Sequence, residues 1–489
     1  MCDVDTDTGT FHISHWFDGL AHSHKFEIVA GGDRVRVVYT SRRQAESLEK
    51  EIAKKGKMAG ISFGQKSDPC MGLFAKAMGV WNPSRTDPRN LCVTINPDMP
   101  IPADTDPTTT TGKDRSLIQA TDSAWFGHVD PSTLEITQVD RQSSLHRDLK
   151  GPLSASHGQR DATTGDYFNV NLEFGRTPKY RAFQVEAGGA TKILATITSA
   201  PPAYFHSFFL TENYLVLYVP ATTYGKGGIS ISMERNVLDA IEPFDKSRHC
   251  HWYVVDRRNN QGVVAEFRSR AAFFFHSVNA FEEDGHIFCD LVEYPTTDTV
   301  FSMYYDVLLN RHGSTSNFWA KGSRMTDAMA RLVRYALPTR QTPKSTSWLS
   351  GWANAAGYPS PEEVLSIPAP HIGELPTINP SYHCRKHRFV YSLPSRGLST
   401  LFDTIAKTDT VTRDLVMWNG PAGHTPGEPI FVARPGRDLD EDDGVLLSVV
   451  LDGANKISYL LCLDAKTMTE LGRAECEFAV SFGFHGSHM

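Results

Sequence analysis

From residue 115 onward, apolar and polar positions alternate in short runs. The runs fall at 115–120, 133–138, 167–173, 179–185, 190–197, 214–219, 251–255, 262–266, 286–293, 388–392, 429–433, 445–451 and 457–463. A period of two puts successive side chains on opposite faces of an extended chain, so each run predicts a strand. Asp-Gly, Gly-Gly and Asn-Asn pairs supply turns between the runs. Upstream, residues 10–40 predict further strands, with Gly31-Gly32 as a hairpin turn. Residues 41–57 predict a helix, with Ser41 as its cap and a solvated Lys/Glu face. Residues 68–78, 324–336 and 361–366 predict shorter helices, and 97–114, rich in Pro, Thr and Asp, a loop. Strands do not alternate with helices, which argues against a doubly wound parallel sheet. The expectation is an all-β repeat architecture, a single domain over residues 1–489.

Four histidines stand out from this background. His276 follows Phe273-Phe274-Phe275, and Asn279, Glu282 and Glu283 come soon after it. His206 lies in Tyr204-Phe205-His206-Ser207-Phe208, and His485 lies in Phe482-Gly483-Phe484-His485-Gly486. His157, in Ser156-His157-Gly158, is the least marked by its neighbours. An imidazole in an apolar run costs free energy unless its ring nitrogens are satisfied. Taken singly, each is more often a surface or core side chain than a ligand. Taken together, they are read as converging on one iron. Their separations are 49, 70 and 209 residues, the last about three times the second. A blade of about 70 residues gives about seven blades in this chain, within the usual propeller range. Stacked sandwiches or a jelly roll fit the strand count equally well.

Other histidine patterns weigh less. His128-Val129-Asp130 has the His-x-Asp spacing of facial-triad iron sites, but the stretch that follows reads as a turn between strands. His22 with His24, and His249 with His251, each share one face of a strand, and the second pair reads as surface. Phosphate-binding glycine loops and Gly-x-Ser-x-Gly nucleophile elbows do not occur in a fitting context.

Composition narrows the function classes. The net charge of −7 argues against nucleic acid as the main partner. No run of about 18 apolar residues is present, so no membrane span is expected, although a membrane-facing surface patch stays open. The opening Met1-Cys2-Asp3-Val4-Asp5 lacks the basic and apolar regions of a signal peptide. Eight scattered cysteines without Cys-x-x-Cys suit free thiols in a reducing cytoplasm.

At these residues the chain resembles the carotenoid cleavage oxygenase family. The matching stretches run from His15-Trp16-Phe17-Asp18-Gly19 and the segment 129–135, through Ser156-His157, the segments 206–214 and 275–283, and Glu374-Leu375-Pro376. They continue through the segments 427–432 and 441–444 to Phe482–Gly486. The resemblance implies a seven-bladed propeller with a helical and loop cap over an axial Fe(II). It implies His157, His206, His276 and His485 as the iron ligands, with Glu374 and Glu428 as carboxylates behind them. The third carboxylate position reads Asp122, where the family usually has Glu. Asp is one methylene shorter, so that bond is expected to be longer or water-bridged. Thr121 stands where stilbene-cleaving relatives carry a Lys, which favours a carotenoid. The family's Arg-Asn-Gly-Pro-Gly stretch before His15 is missing. The closing Gly486-Ser487-His488-Met489 resembles a cloning scar, which makes His488 a weaker candidate than His485.

The implied chemistry is oxidative cleavage of a conjugated C=C bond. Four neutral imidazoles leave an octahedral ion two adjacent open positions, one of them for O2. Cleavage to two carbonyls removes four electrons, the number that one O2 accepts, so no further reductant is needed. Phe205, Phe273, Phe274 and Phe484, with Thr121, would form a dry slot for an apolar conjugated substrate, though packing in the core serves equally well for most of them. Two alternatives stay open: the same chemistry on an aromatic alkene such as a stilbenoid or phenylpropenoid, and an inactive propeller that binds a ligand.

Overall fold

Strand after strand ends in an aspartate that folds the chain back on itself. Asp130, Asp161, Asp256, Asp409, Asp452 and Asp464 each accept two backbone N–H groups, from the residues two and three positions further on. An Asp side chain that mimics a backbone turn in this way links antiparallel neighbours with few residues. The structure, a computed structural model, describes residues 3–7, 9–32, 34–58, 60–66, 88–91, 93–101, 117–339, 357–399, 401–436 and 440–489.

Six antiparallel sheets follow one another along these residues, each built from consecutive strands. The first blade comprises Thr94–Pro97, Leu117–Ala120, Trp125–Val129 and Ile136–Arg141. The second opens with the short strands Leu153–Ser154 and Gln159–Arg160, both paired with Tyr167–Glu173, and adds Lys179–Val185 and Thr191–Ile197. The third has Phe209–Leu210, Tyr214–Val219, His249–Asp256 and Val263–Arg270. The fourth has Phe273–Glu283, His286–Tyr294, Arg331–Pro338 and Glu362–Pro368. The fifth has Glu374–Thr377, Phe389–Leu393, Ile405–Asp409 and Leu415–Trp418. The sixth opens with His424–Pro426 and Ile430–Ala433, both paired with Gly444–Asp452, and ends with Ile457–Asp464 and Glu470–Cys476. This is an all-β propeller.

The expected count of seven exceeds the six four- or five-stranded sheets among the described residues. Equal blade lengths were the wrong premise. The fourth blade runs from Phe273 to Pro368 because short helices between Asp298 and Asp327 interrupt it. A separate hairpin pairs His22–Gly31 with Arg34–Arg43.

The core reads as a product of the pattern. Tyr214–Val219 and His286–Tyr294 lie inside their sheets and are buried nearly throughout. A large apolar cluster joins the second, third and fourth blades, with Phe168, Val170, Leu215, Leu217, Phe273 and Leu332 among its members.

Several helix expectations fail for identifiable reasons. Only Arg324–Asp327 is helical in 324–336, and the rest is the strand Arg331–Pro338. On that strand Arg331 and Arg334 each pair with a carboxylate of the adjoining strand, Glu293 and Asp290 respectively. Glu362 and Glu363 look like an acidic first turn, yet 362–368 is the outer strand and Glu363 pairs with Arg331. The helix expected over 41–57 spans Glu46–Lys55, because strand pairing continues as far as Arg43 opposite His22. Its first turn follows Ala45 with no side-chain cap, so Ser41 plays no capping role. The helix expected over 68–78 and most of the 97–114 loop lie outside the described residues. No helix among the described residues is long and apolar enough to cross a membrane.

The aspartate turns tie stability to pH. Two turn N–H groups hold Asp130 below the usual carboxylate range. Burial pushes Asp409 up, but the Arg388 guanidinium and two turn N–H groups outweigh it and bring the carboxyl to about 2. A carboxyl depressed in the folded chain adds stability above its unfolded pKa of about 4. That contribution disappears as pH falls through the folded value. The melting temperature is therefore expected to fall between about pH 4 and about pH 2, and Asp409→Asn is expected to flatten the fall. Thermal melts across that range check this, and an Asp409→Asn profile parallel to the parent's would refute it.

Candidate metal centre

Three of the histidines lie in or beside the opening strands of the second, third and fourth blades, and the fourth lies after the sixth blade. His157 lies in the break between Leu153–Ser154 and Gln159–Arg160. Gly158 follows because a Cβ there would meet the Tyr167 hydroxyl at 2.1 Å. His206 precedes Phe209–Leu210, and the His157 N–H donates to the His206 carbonyl at 3.3 Å, stitching the second blade to the third. His276 lies within Phe273–Glu283, where the pairing register shifts on either side of Ser277. Such bulges re-aim side chains. Ser207 links the third blade to the fourth, donating to the Phe275 carbonyl and accepting the Ser277 N–H. His485 arrives on the segment after the sixth blade.

The ligand nitrogens of these four residues all lie within 4.8 Å of one another. His157 Nε2 is 3.2 Å from His206 Nε2, and His276 Nε2 is 3.3 Å from His485 Nε2. The other ring nitrogen of three of them faces a carboxylate. His206 Nδ1 donates to Asp122 Oδ1 at 2.7 Å, His276 Nδ1 to Glu374 Oε2 at 2.6 Å, and His485 Nδ1 to Glu428 Oε1 at 2.9 Å. No carboxylate meets His157 among the described residues. Asp122 thus makes a direct contact, where a longer or water-bridged one was expected.

These outer bonds fix the tautomer of His206, His276 and His485: their protons sit on Nδ1, so their Nε2 lone pairs point inward. The lone pairs of His276 and His485 face each other at 3.3 Å and repel unless a positive charge lies between them. Burial, and then the neighbouring imidazoles, hold His157 well below the ordinary histidine range, so a second proton is a poor source of that charge. Burial lowers His276 as well, although Glu374 opposes the shift. Burial would raise Glu374, but the His276 ring and the Tyr294 hydroxyl outweigh it and keep the carboxyl ionised. An all-nitrogen set of inward lone pairs fits a first-row divalent metal ion.

A cavity opens beside three of the rings. Its wall includes His206, His276, His485 and Thr121, and its apolar part includes Trp16, Phe17, Ile61, Phe63, Phe275, Met303, Phe402 and Phe484. Of the aromatic residues expected there, Phe484 lines it. Phe205, Phe273 and Phe274 do not: each is buried, Phe205 against Tyr180, Phe273 against Tyr204 and Tyr294, and Phe274 against Phe209 and Tyr218. Phe275, two positions beyond Phe273, lines the cavity instead.

The His15–Gly19 stretch forms part of the cavity wall. His15 Nε2 donates to the Val300 carbonyl at 3.0 Å, and its Nδ1 accepts the Phe17 N–H. Asp18 accepts the N–H groups of Phe63 and Gly64 at 2.6 and 2.7 Å. These two side chains fasten separate wall segments to one turn, leaving Trp16 free to pack on Phe484 at 4.3 Å. The remaining histidine patterns stay apart from the cluster. Asp130 closes its turn as expected, and His24 bonds the Tyr39 hydroxyl at 2.7 Å.

Residues 2–489 match the family described as RPE65, retinal pigment epithelial membrane protein. The chain belongs to this carotenoid cleavage oxygenase family. Within the family, it is 46% identical over 508 residues to a "Torulene dioxygenase" of Gibberella fujikuroi, covering 99% of this chain and 86% of the relative. It is 45% identical over 524 residues to a "Carotenoid dioxygenase" of Neurospora crassa, covering 99% and 84%. Among solved structures it is similar to cobalt-substituted Synechocystis ACO, with a TM-score of 0.68, 20% identity, and coverage of 97% of this chain and 88% of that one. That likeness bears on the propeller fold.

Removing an outer carboxylate should loosen the ring it orients. Asp122→Ala is expected to weaken divalent-metal affinity about 10–100-fold, the range for partners that orient a ligand. Competition with a chromogenic chelator measures this, and unchanged affinity would show that the 2.7 Å contact does not steer His206.

Proposed function

We propose that this chain is an Fe(II)-dependent dioxygenase that cleaves a conjugated C=C bond of a carotenoid or apocarotenoid, yielding two carbonyl products. One observation carries the reading: four imidazoles converge beside an aromatic cavity, three of them held with their lone pairs inward by carboxylates. The relatives named as torulene and carotenoid dioxygenases, 45–46% identical over nearly the whole chain, support the substrate class. The metal in the cobalt-substituted ACO supports a metal in this fold. His157, His206, His276 and His485 would hold the ion, which when bound would supply O2 activation.

The protein's own groups supply the rest. Asp122, Glu374 and Glu428 hold the Nδ1 protons and keep the inner nitrogens basic. Trp16, Phe17, Phe63, Phe275 and Phe484 present apolar surface to a polyene and keep water from the reacting carbons. Thr121 sits in that wall beside Asp122, where a lysine would offer a charge to a phenol. An aromatic alkene draws no support from the relatives, and the intact histidine set stands against an inactive propeller.

We further infer that the His22–Arg43 hairpin fills the seventh position of a one-domain ring. On one side its Lys25, and Gln44 just past it, bond the carbonyls of Pro131 and Leu134 in a turn of the first blade. On the other, Tyr39 packs on Phe478, just past the last strand of the sixth. The unpaired state of Cys250, Cys289, Cys384, Cys462 and Cys476 supports a cytoplasmic location.

Incubation with carotenoids under labelled O2 tests the activity. Label from O2 in both carbonyl products, identified by mass as apocarotenals, is expected. Absence of cleavage across C40 and shorter polyenes by iron-loaded protein would overturn the reading. His276→Ala is expected to abolish both iron retention and turnover, and full activity in that variant would sink the metal assignment.

A further inference from the structure

Asp122 is the short member of the outer carboxylates, yet it reaches its imidazole as closely as the two glutamates reach theirs. The separations are 2.7 Å for Asp122, against 2.6 Å for Glu374 and 2.9 Å for Glu428. Two buried hydroxyls hold it there. Ser156 Oγ donates to Asp122 Oδ1 at 2.5 Å, and the Tyr204 hydroxyl donates to Asp122 Oδ2 at 2.9 Å. Tyr204 oxygen also lies 3.1 Å from His206 Nδ1. The proton accounting closes: the tyrosine gives its proton to Asp122, and its lone pair takes a share of the His206 N–H.

The placement of the two hydroxyls along the chain matters. Ser156 directly precedes His157, and Tyr204 stands two residues before His206. One carboxylate therefore ties together the segments carrying two of the four imidazoles. His157, which has no carboxylate of its own among the described residues, gains an anchor one residue away. At the other corners the holding groups differ: Glu374 accepts from the Tyr294 hydroxyl and Glu428 from the Gly486 N–H.

We propose that Tyr204 and Ser156 are positioning residues that adapt the centre to an aspartate, holding its carboxylate on His206 and fixing His157 and His206 as one unit. This rests on the reading that the four histidines hold a metal. A glutamate in place of Asp122 would carry its carboxylate one methylene further and crowd the groups that now close on it, Tyr204 among them. The tyrosine and the aspartate are thus matched to each other, and their substitutions should be strongly non-additive.

The test uses the full chain, stripped of metal and titrated with Co(II) against a chromogenic chelator, with the Co(II) absorption bands as a second readout. Tyr204→Phe is expected to weaken Co(II) binding about tenfold, the low end for an orienting partner, and to shift the bands. Asp122→Glu alone is expected to weaken binding too, whereas Tyr204→Phe with Asp122→Glu should bind more tightly than Tyr204→Phe alone. Wild-type affinity and bands in Tyr204→Phe would overturn the proposal, as would a loss that the added glutamate fails to relieve. If Tyr204→Phe does not fold, Ser156→Ala, alone and combined with Asp122→Glu, makes the same comparison. Wild-type protein that binds neither Co(II) nor Fe(II) would sink the metal reading, and this proposal with it.

Discussion

Four imidazoles converge on one point, and three of them have their lone pairs held inward, which leaves mutual repulsion at the centre. Each outward Nδ1 proton given to a carboxylate aims one more unprotonated nitrogen inward. The carboxylates, buried or half-buried, are costly in turn unless they accept hydrogen bonds, and each does so from neighbouring hydroxyl or N–H groups. The electrostatics of the centre therefore runs outward in layers, from lone pairs to carboxylates to hydroxyls. Each layer is tolerable only because the next is present. The cation of the proposed function would complete this stack at its middle.

A propeller suits this demand because it separates stability from aim. Strands beyond the opening one carry ladder hydrogen bonds and, in the fourth blade, the ion pairs of Arg334 with Asp290 and Arg331 with Glu293. The opening strands are free to be short or broken. Leu153–Ser154 and Gln159–Arg160 leave room for His157 between them, and His424–Pro426 and Ile430–Ala433 leave room for Glu428. A continuous strand would alternate its side chains strictly between two faces. The breaks and bulges let successive residues serve the metal side and the cavity side at once, as His276 and Phe275 do.

The fold class and the four histidines were legible because both rest on patterns that survive in one dimension. Alternation marks a strand wherever it lies, and a histidine among aromatics is conspicuous. Blade number was not legible, since chain length counts helical excursions and strands alike. The helix expected over 324–336 fails beyond Asp327 because the carboxylates that pair with Arg331 and Arg334 lie on another strand, far off in the sequence. Within Tyr204-Phe205-His206, attention to apolar neighbours picked Phe205, which is buried away from the cavity. Alternation argues for Tyr204, because residues two apart share a face, and it is Tyr204 that touches His206. The choice of Phe273 over Phe275 failed at a bulge, which sequence does not announce.

Unequal support around the ring has a structural logic. His206, His276 and His485 each lean on a carboxylate, so their orientation depends on side chains from other segments, as far away as Glu374 is from His276. His157 instead leans on the backbone of the next ligand, through its N–H on the His206 carbonyl. Its ring lies edge-on to all three others, at centroid distances of 4.4–4.9 Å. A fourth carboxylate would add negative charge to a half-buried shell that already carries three. Holding the His157 segment by its backbone adds no such charge, so a divalent ion of the proposed kind would face three carboxylates rather than four.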